Sequence, residues 1–175
     1  MLRKKILPLV ALSVLVPTAV AFAQTDTYQQ GTQEFTLGGS GSSDEDLDNP
    51  VFGTNFSYGF FTTPHLEWGV RQELNYNDVG DENIFNGSTR LALDYNFGSG
   101  QLVPLLGLSV GYVYGDNVDD QFIAGPEGGL KFFVNDTTFI YGLVEYQFLF
   151  DDADDVDEVY DDGRFVYGLG LGFTF

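Results

Sequence analysis

The sequence predicts an all-β chain, an eight-stranded antiparallel up-and-down transmembrane β-barrel. Three observations carry this. Apolar and polar residues alternate with a period of two in eight segments, short and long connections take turns between them, and the bulky aromatics share one face. A period of two belongs to a strand whose two faces meet different surroundings. The 175 residues suit one domain, and 43% hydrophobic content excludes a disordered acidic chain.

Residues 1–23 read as an address. Arg3, Lys4 and Lys5 precede an apolar run from Ile6 to Val20, which ends in Ala21-Phe22-Ala23. This is the pattern of a cleaved secretory signal, with the cut expected before Gln24. A retained membrane helix is the alternative, but the run is short and broken by Pro8 and Pro17. Removal of the signal leaves four basic residues against 26 acidic ones. Residues 24–32 then form a short periplasmic N-terminal segment, and 33–175 form the barrel.

The segments follow in order. The first, 33–41, turns Glu34 to one face. The second, 51–61, sets Phe52 and Phe60 opposite Phe61. In 66–77, Leu66, Trp68, Val70, Leu74 and Tyr76 oppose Glu67, Gly69, Arg71, Glu73 and Asn75. In 85–97 the apolar face holds Phe85, Leu91, Leu93, Tyr95 and Phe97, and the other holds Asn86, Ser88, Arg90, Ala92, Asp94 and Asn96. Segment 102–114 gives Leu106, Leu108, Tyr112 and Tyr114 to the apolar face. Segment 122–134 does the same with Phe122 and Phe132, and it puts Glu127 and Lys131 opposite. In 138–150, Val144, Phe148 and Phe150 oppose Glu145. The last, 164–175, alternates Phe165, Tyr167, Leu169, Leu171, Phe173 and Phe175 with small residues.

The connections at 62–65, 98–101 and 135–137 are short and carry one acid, Asp136. Those at 42–50, 77–84, 115–121 and 151–163 hold 18 of the 26 acids and no Lys or Arg. Short turns at one end and longer loops at the other are expected of an outer-membrane barrel with both termini periplasmic.

A soluble eight-stranded barrel of the lipocalin kind would turn its apolar face inward around a ligand. Bulk argues against it. Twenty-one of the 28 aromatics lie on the apolar face, with only Phe61, Phe133, Phe139 and Tyr141 on the strands' other face. An eight-stranded interior is just wide enough for ordinary side chains and has no room for that many rings. The apolar face therefore points outward. Its aromatics cluster at strand ends around an aliphatic middle, as two membrane interfaces around a lipid core require.

At this point the sequence resembles the small outer-membrane β-barrel proteins of Gram-negative bacteria, of the OmpA/OmpX-like type. The resemblance rests on the opening strand from Glu34 to Ser42, on the stretch from Gly125 to Val134, and on the closing strand. Tyr167, Leu169, Leu171, Phe173 and the terminal Phe175 look like the family's barrel-assembly signal. The resemblance implies export to the cell outer membrane and folding by the barrel assembly machinery. It also implies contact with outer-membrane lipid and lipopolysaccharide. The chain stops at Phe175, so no periplasmic cell-wall-binding domain is expected after the barrel.

Little catalytic chemistry is on offer. The chain has no Cys and one histidine, His65, in a short turn beside Pro64. No nucleophile–base pair or phosphate loop is visible, so an enzyme is not expected, although some small barrels modify lipid A or act as proteases. Net charge of −19 argues against nucleic acid. No organic cofactor is implied, and a monomer is expected.

Two clusters remain. Arg71, Arg90, Lys131 and Arg164 all fall on the lumen face, together with Glu34, Glu67, Glu73, Asp94, Glu127 and Glu145. Buried charges need partners, so these predict an ion-pair network filling the lumen. A tight turn at 134–138 would set Glu127 opposite Glu145, with Lys131 or an arginine compensating. The functional alternative is a narrow path for water or small ions. In the last loop, Asp152, Asp154, Asp155, Asp157, Glu158 and Asp161 offer hard oxygen ligands for Ca²⁺ or Mg²⁺ without EF-hand spacing. A solvated charged loop is the plainer reading, and cations here can also bridge to lipopolysaccharide phosphates. The role expected is structural or surface interaction through acidic loops. The alternative is a small pore or a lateral route for hydrophobic molecules.

Overall fold

The computed structural model describes residues 27–44, 46, 51–79, 82–116, 121–150 and 163–175. The expected signal at 1–23 and the six candidate cation ligands between 152 and 161 lie outside the described residues. The strands are β1 (Gln33–Asp44), β2 (Val51–Phe61), β3 (Leu66–Val79), β4 (Glu82–Asn96), β5 (Leu102–Gly115), β6 (Gln121–Phe133), β7 (Thr138–Phe150) and β8 (Gly163–Thr174). Each pairs antiparallel with the next, and β1 pairs with β8, so the sheet closes in chain order. Closure leaves no strand edge to be solvated, which is the condition for strands to cross lipid. The seam is completed by reciprocal bonds between Gln33 and Phe175, N–H to carbonyl at 2.9 and 3.0 Å.

The short connections are tight for local reasons. Thr63 Oγ1 accepts the Leu66 N–H at 2.9 Å, and Asn135 Oδ1 accepts those of Thr137 and Thr138, both at 2.9 Å. Such side-chain bonds stand in for backbone turns. Among the described residues, the opposite end differs from the sequence reading at 42–50, where β1 stays paired as far as Asp44↔Arg164, and more fully at 77–84. Residues 77–84 were expected as loop, yet β3 and β4 stay paired through Asn77↔Ile84, Asp78↔Asn83 and Val79↔Glu82. Backbone pairing needs no apolar face, so a hairpin can extend beyond the point where alternation ends.

The faces divide by position. Leu108 and Leu169 are 63% and 65% exposed on the outer wall, and Leu37, Leu91, Leu106 and Val110 accompany them. Phe60, Trp68, Tyr95, Phe97, Phe132, Phe173 and Phe175 ring the short-turn end, while Phe85, Tyr112 and Phe122 stand nearer the other. A soluble monomer does not expose a continuous apolar belt of this extent. Covered by lipid, the same belt is the stabilising surface. The β6–β7 ladder lapses at Gly125 and Pro126, between Ala124↔Phe148 and Glu127↔Glu145. Proline has no N–H to give to a ladder, and it is normally confined to edges.

Candidate functional site: a charge-filled lumen

Two rungs of the sheet, four residues apart along the strands, carry most of the lumen's charges. One runs Glu67↔Asp94↔Gly107↔Glu127↔Glu145 through β3 to β7. The other runs Ser57↔Arg71↔Arg90↔Gly111 through β2 to β5. A spacing of four residues along a strand returns the side chain to the same face, so acids and arginines both point into the lumen. The glycines matter through the space they leave. A Cβ on Gly107 would fall 1.9 Å from Asp94 Oδ1, and one on Gly111 would fall 2.6 Å from Arg90 Cγ.

Three cations each take two carboxylates. Nearest the short turns, Lys131 Nζ lies 2.8 Å from Glu34 and 2.9 Å from Glu67. In the middle, Arg71 bridges Asp94 and Glu127. Towards the long loops, Arg90 pairs with Glu145 and reaches Glu73 at 3.4 Å, while Ser109 donates to Glu145. Arg90, Lys131 and all six of these acids are buried. The register sets Glu127 directly opposite Glu145. Arg71 and Arg90 compensate the two acids, and Lys131 is engaged elsewhere. Arg164 lies beside the Arg90 trio, within electrostatic reach of Glu73 and Glu145, and donates from Nε to Gln147 Oε1 at 2.7 Å.

The short-turn mouth is closed by a residue that the alternation pattern does not reveal. Tyr28 precedes β1 and is 1% exposed. Its ring stacks on Phe61 with centroids 3.9 Å apart and meets Phe133 edge-on at 5.8 Å. Val103, Phe139 and Tyr141 complete the cluster. The tail turns back at Gly31, where φ is +94°, a conformation that favours glycine. Gly31 N–H then donates to Phe61 O at 2.8 Å, and Gly100 N–H donates to Thr27 Oγ1 at 2.7 Å. The Tyr28 hydroxyl donates to Glu34 Oε2 at 3.1 Å, and Lys131 Nζ sits 5.2 Å from the Tyr28 ring centroid. Burial is the main influence on the Tyr28 phenol and pushes its pKa above the ordinary value. Tyr28 therefore acts as a neutral donor. The described part of the segment 24–32, residues 27–32, thus places Tyr28 in the mouth as a stopper.

A cavity of about 50 Å³ lies among Glu34, Asn55, Arg71, Asp94, Lys131 and Glu145, which holds about three waters. Tyr141 Oη crosses the lumen to donate to Asn55 Oδ1 at 2.6 Å. Neither residue stood out in the sequence as part of the site. His65 lies away from the lumen charges, with Nδ1 3.1 Å from Asn96 O and its ring stacked near Tyr95. Among the described residues, no three His, Cys, Asp or Glu side chains are grouped to hold a metal ion. Tyr167, Leu169, Leu171 and Phe173 share the outer face of β8, and Phe175 follows on it at 66% exposure.

Comparison with solved structures bears on the architecture. The N-terminal β-barrel domain of OprF from Pseudomonas aeruginosa matches with a TM-score of 0.60 at 20% identity, over 84% of this chain and 98% of that one. The fold is that of the small outer-membrane barrels. The outer membrane protein OprG of the same organism matches at a TM-score of 0.62 and 14% identity, over 85% and 97% of the two chains. Neisserial surface protein A matches at 0.59 and 15%, over 84% and 98%. No protein-family model matches the sequence, and no curated protein sequence does so either.

Proposed function

We propose that this chain is an exported, integral outer-membrane barrel that acts as a structural and surface-interaction element rather than as a pore or an enzyme. The single observation supporting this is the filled lumen. Three cation–carboxylate trios occupy it among the described residues, Tyr28 stops its short-turn mouth, and the cavity between the trios measures only about 50 Å³. Steady ion flow needs a continuous water column, which this arrangement interrupts. Interaction then falls to the acidic connections at the opposite rim. Their carboxylates favour divalent cations, cationic surfaces and, through bridging cations, lipopolysaccharide phosphates.

The test is conductance of the refolded mature protein in planar bilayers. A silent barrel is expected, and a steady ohmic current would replace this reading with the small-pore alternative. Calorimetry with Ca²⁺ and Mg²⁺ addresses the rim. Heat on millimolar titration, lost when Asp152, Asp154, Asp155 and Asp157 are changed to Asn, is expected. No heat removes the cation role.

A further inference from the structure

The three trios share a deficit. Each sets one positive charge between two carboxylates, so each carries one negative charge in excess when all groups are ionised. An uncompensated charge inside a lipid-covered barrel is costly, and something must neutralise it. The outer two trios spread theirs over further donors. Glu34 accepts from Tyr28, and Glu67 accepts from Asn96 at 3.2 Å. Glu145 accepts from Ser109, and Glu73 accepts from Asn75 at 3.3 Å.

Among the described residues, the middle trio has no such further side-chain donor. Asp94 and Glu127 each spend one oxygen on Arg71. Their remaining oxygens, Asp94 Oδ1 and Glu127 Oε1, are the two buried carboxylate oxygens without a hydrogen-bond partner among the described residues. These oxygens also converge. Asp94 and Glu127 stand directly opposite Gly107 on its two sides. A Cβ on that glycine would lie 1.9 Å from Asp94 Oδ1 and 3.0 Å from Glu127 Oε1. Both carboxyl groups therefore point into the one space that the missing side chain leaves.

We propose that Asp94 Oδ1 and Glu127 Oε1 form a proton-binding site and share one proton as a carboxylic acid–carboxylate pair. The proton comes from solvent, and no bond between heavy atoms is made or broken. It converts two facing acceptors into a donor and an acceptor and makes the Arg71–Asp94–Glu127 trio neutral. Two like carboxyl groups this close cannot both ionise without cost. The charged groups facing the pair are Arg71 and Glu67 from β3, Arg90 from β4 and Glu145 from β7. Lys131 from β6, Glu34 from β1 and Tyr141 from β7 line the adjoining cavity. The site stands independently of the surface role proposed above.

Infrared spectroscopy of the refolded mature chain at neutral pH tests it. A carbonyl stretch of a protonated carboxyl group, worth about one group per chain, is expected above the amide band. The same stretch is expected to disappear in Asp94→Asn and in Glu127→Gln, with folding of each checked by its heat-dependent gel shift. Absence of the band from the wild-type spectrum overturns the proposal without any variant. A band that survives both substitutions places the proton elsewhere and overturns it too. If the wild-type band is missing and sodium binds with measurable heat, the site holds a cation instead.

Discussion

Replacing Tyr28 with alanine removes the stopper without touching a strand. The ring is 1% exposed, stacks at 3.9 Å on Phe61 and meets Phe133 edge-on. Truncating a buried aromatic to alanine costs about 3–5 kcal/mol in a sealed core. The mouth of a barrel is not sealed on both sides, because water can fill the vacated volume, so about 3 kcal/mol is the expectation. Tyr28→Phe keeps the stacking and loses the hydroxyl bond to Glu34, an expected loss of about 1.5 kcal/mol because the acceptor is charged. The assay is equilibrium unfolding in urea, with protein refolded into lipid vesicles and the folded fraction read from gel mobility. Conductance on the same samples is expected to stay silent for Tyr28→Phe and to show brief openings for Tyr28→Ala. Equal stability of the alanine variant and the wild type would refute the stopper. So would a phenylalanine variant as weak as the alanine one, because stacking would then contribute nothing.

Other expectations follow from the same geometry. Arg71→Met strands Asp94 and Glu127 without their shared cation and is expected to lower stability by about 3–5 kcal/mol in the same urea assay. Adding Asp94→Asn to that variant is expected to restore part of the loss, and strict additivity of the two changes would contradict the trio. Deleting Phe175 removes the Gln33 seam bonds and the last residue of the outward β8 row. If the outward β8 row serves as the assembly signal that the resemblance implies, assembly in cells is expected to fall several-fold more than refolding yield in detergent. Equal effects in both would make Phe175 a purely structural residue.

Much of this architecture is legible in the sequence because a barrel wall imposes one rule on every strand. Leu91 and Arg90 are neighbours in the chain, yet one is 60% exposed and the other 4%. Strict alternation reports that division residue by residue. The choice of partner inside the lumen is less legible. Lys131 joins Glu34 from β1 and Glu67 from β3 rather than its neighbour Glu127, because closure brings β1, β3 and β6 together across the lumen. Linear spacing carries no trace of that. Tyr28 lies in a segment without period, and its place depends on Phe61 and Phe133, both distant in the chain. The β3–β4 extension is illegible for the opposite reason: pairing continues to Val79↔Glu82 where the wall no longer demands alternation.

The single tryptophan reports directly which face of the wall meets lipid. Trp68 is 54% exposed on the outer face of β3, near the short-turn ring of aromatics. Refolded into vesicles containing brominated lipids, its fluorescence is expected to be strongly quenched by bromine near the headgroup end of the acyl chain. Aqueous iodide is expected to quench it weakly. Strong quenching by iodide with none from brominated lipid would put this face in water and contradict the transmembrane barrel.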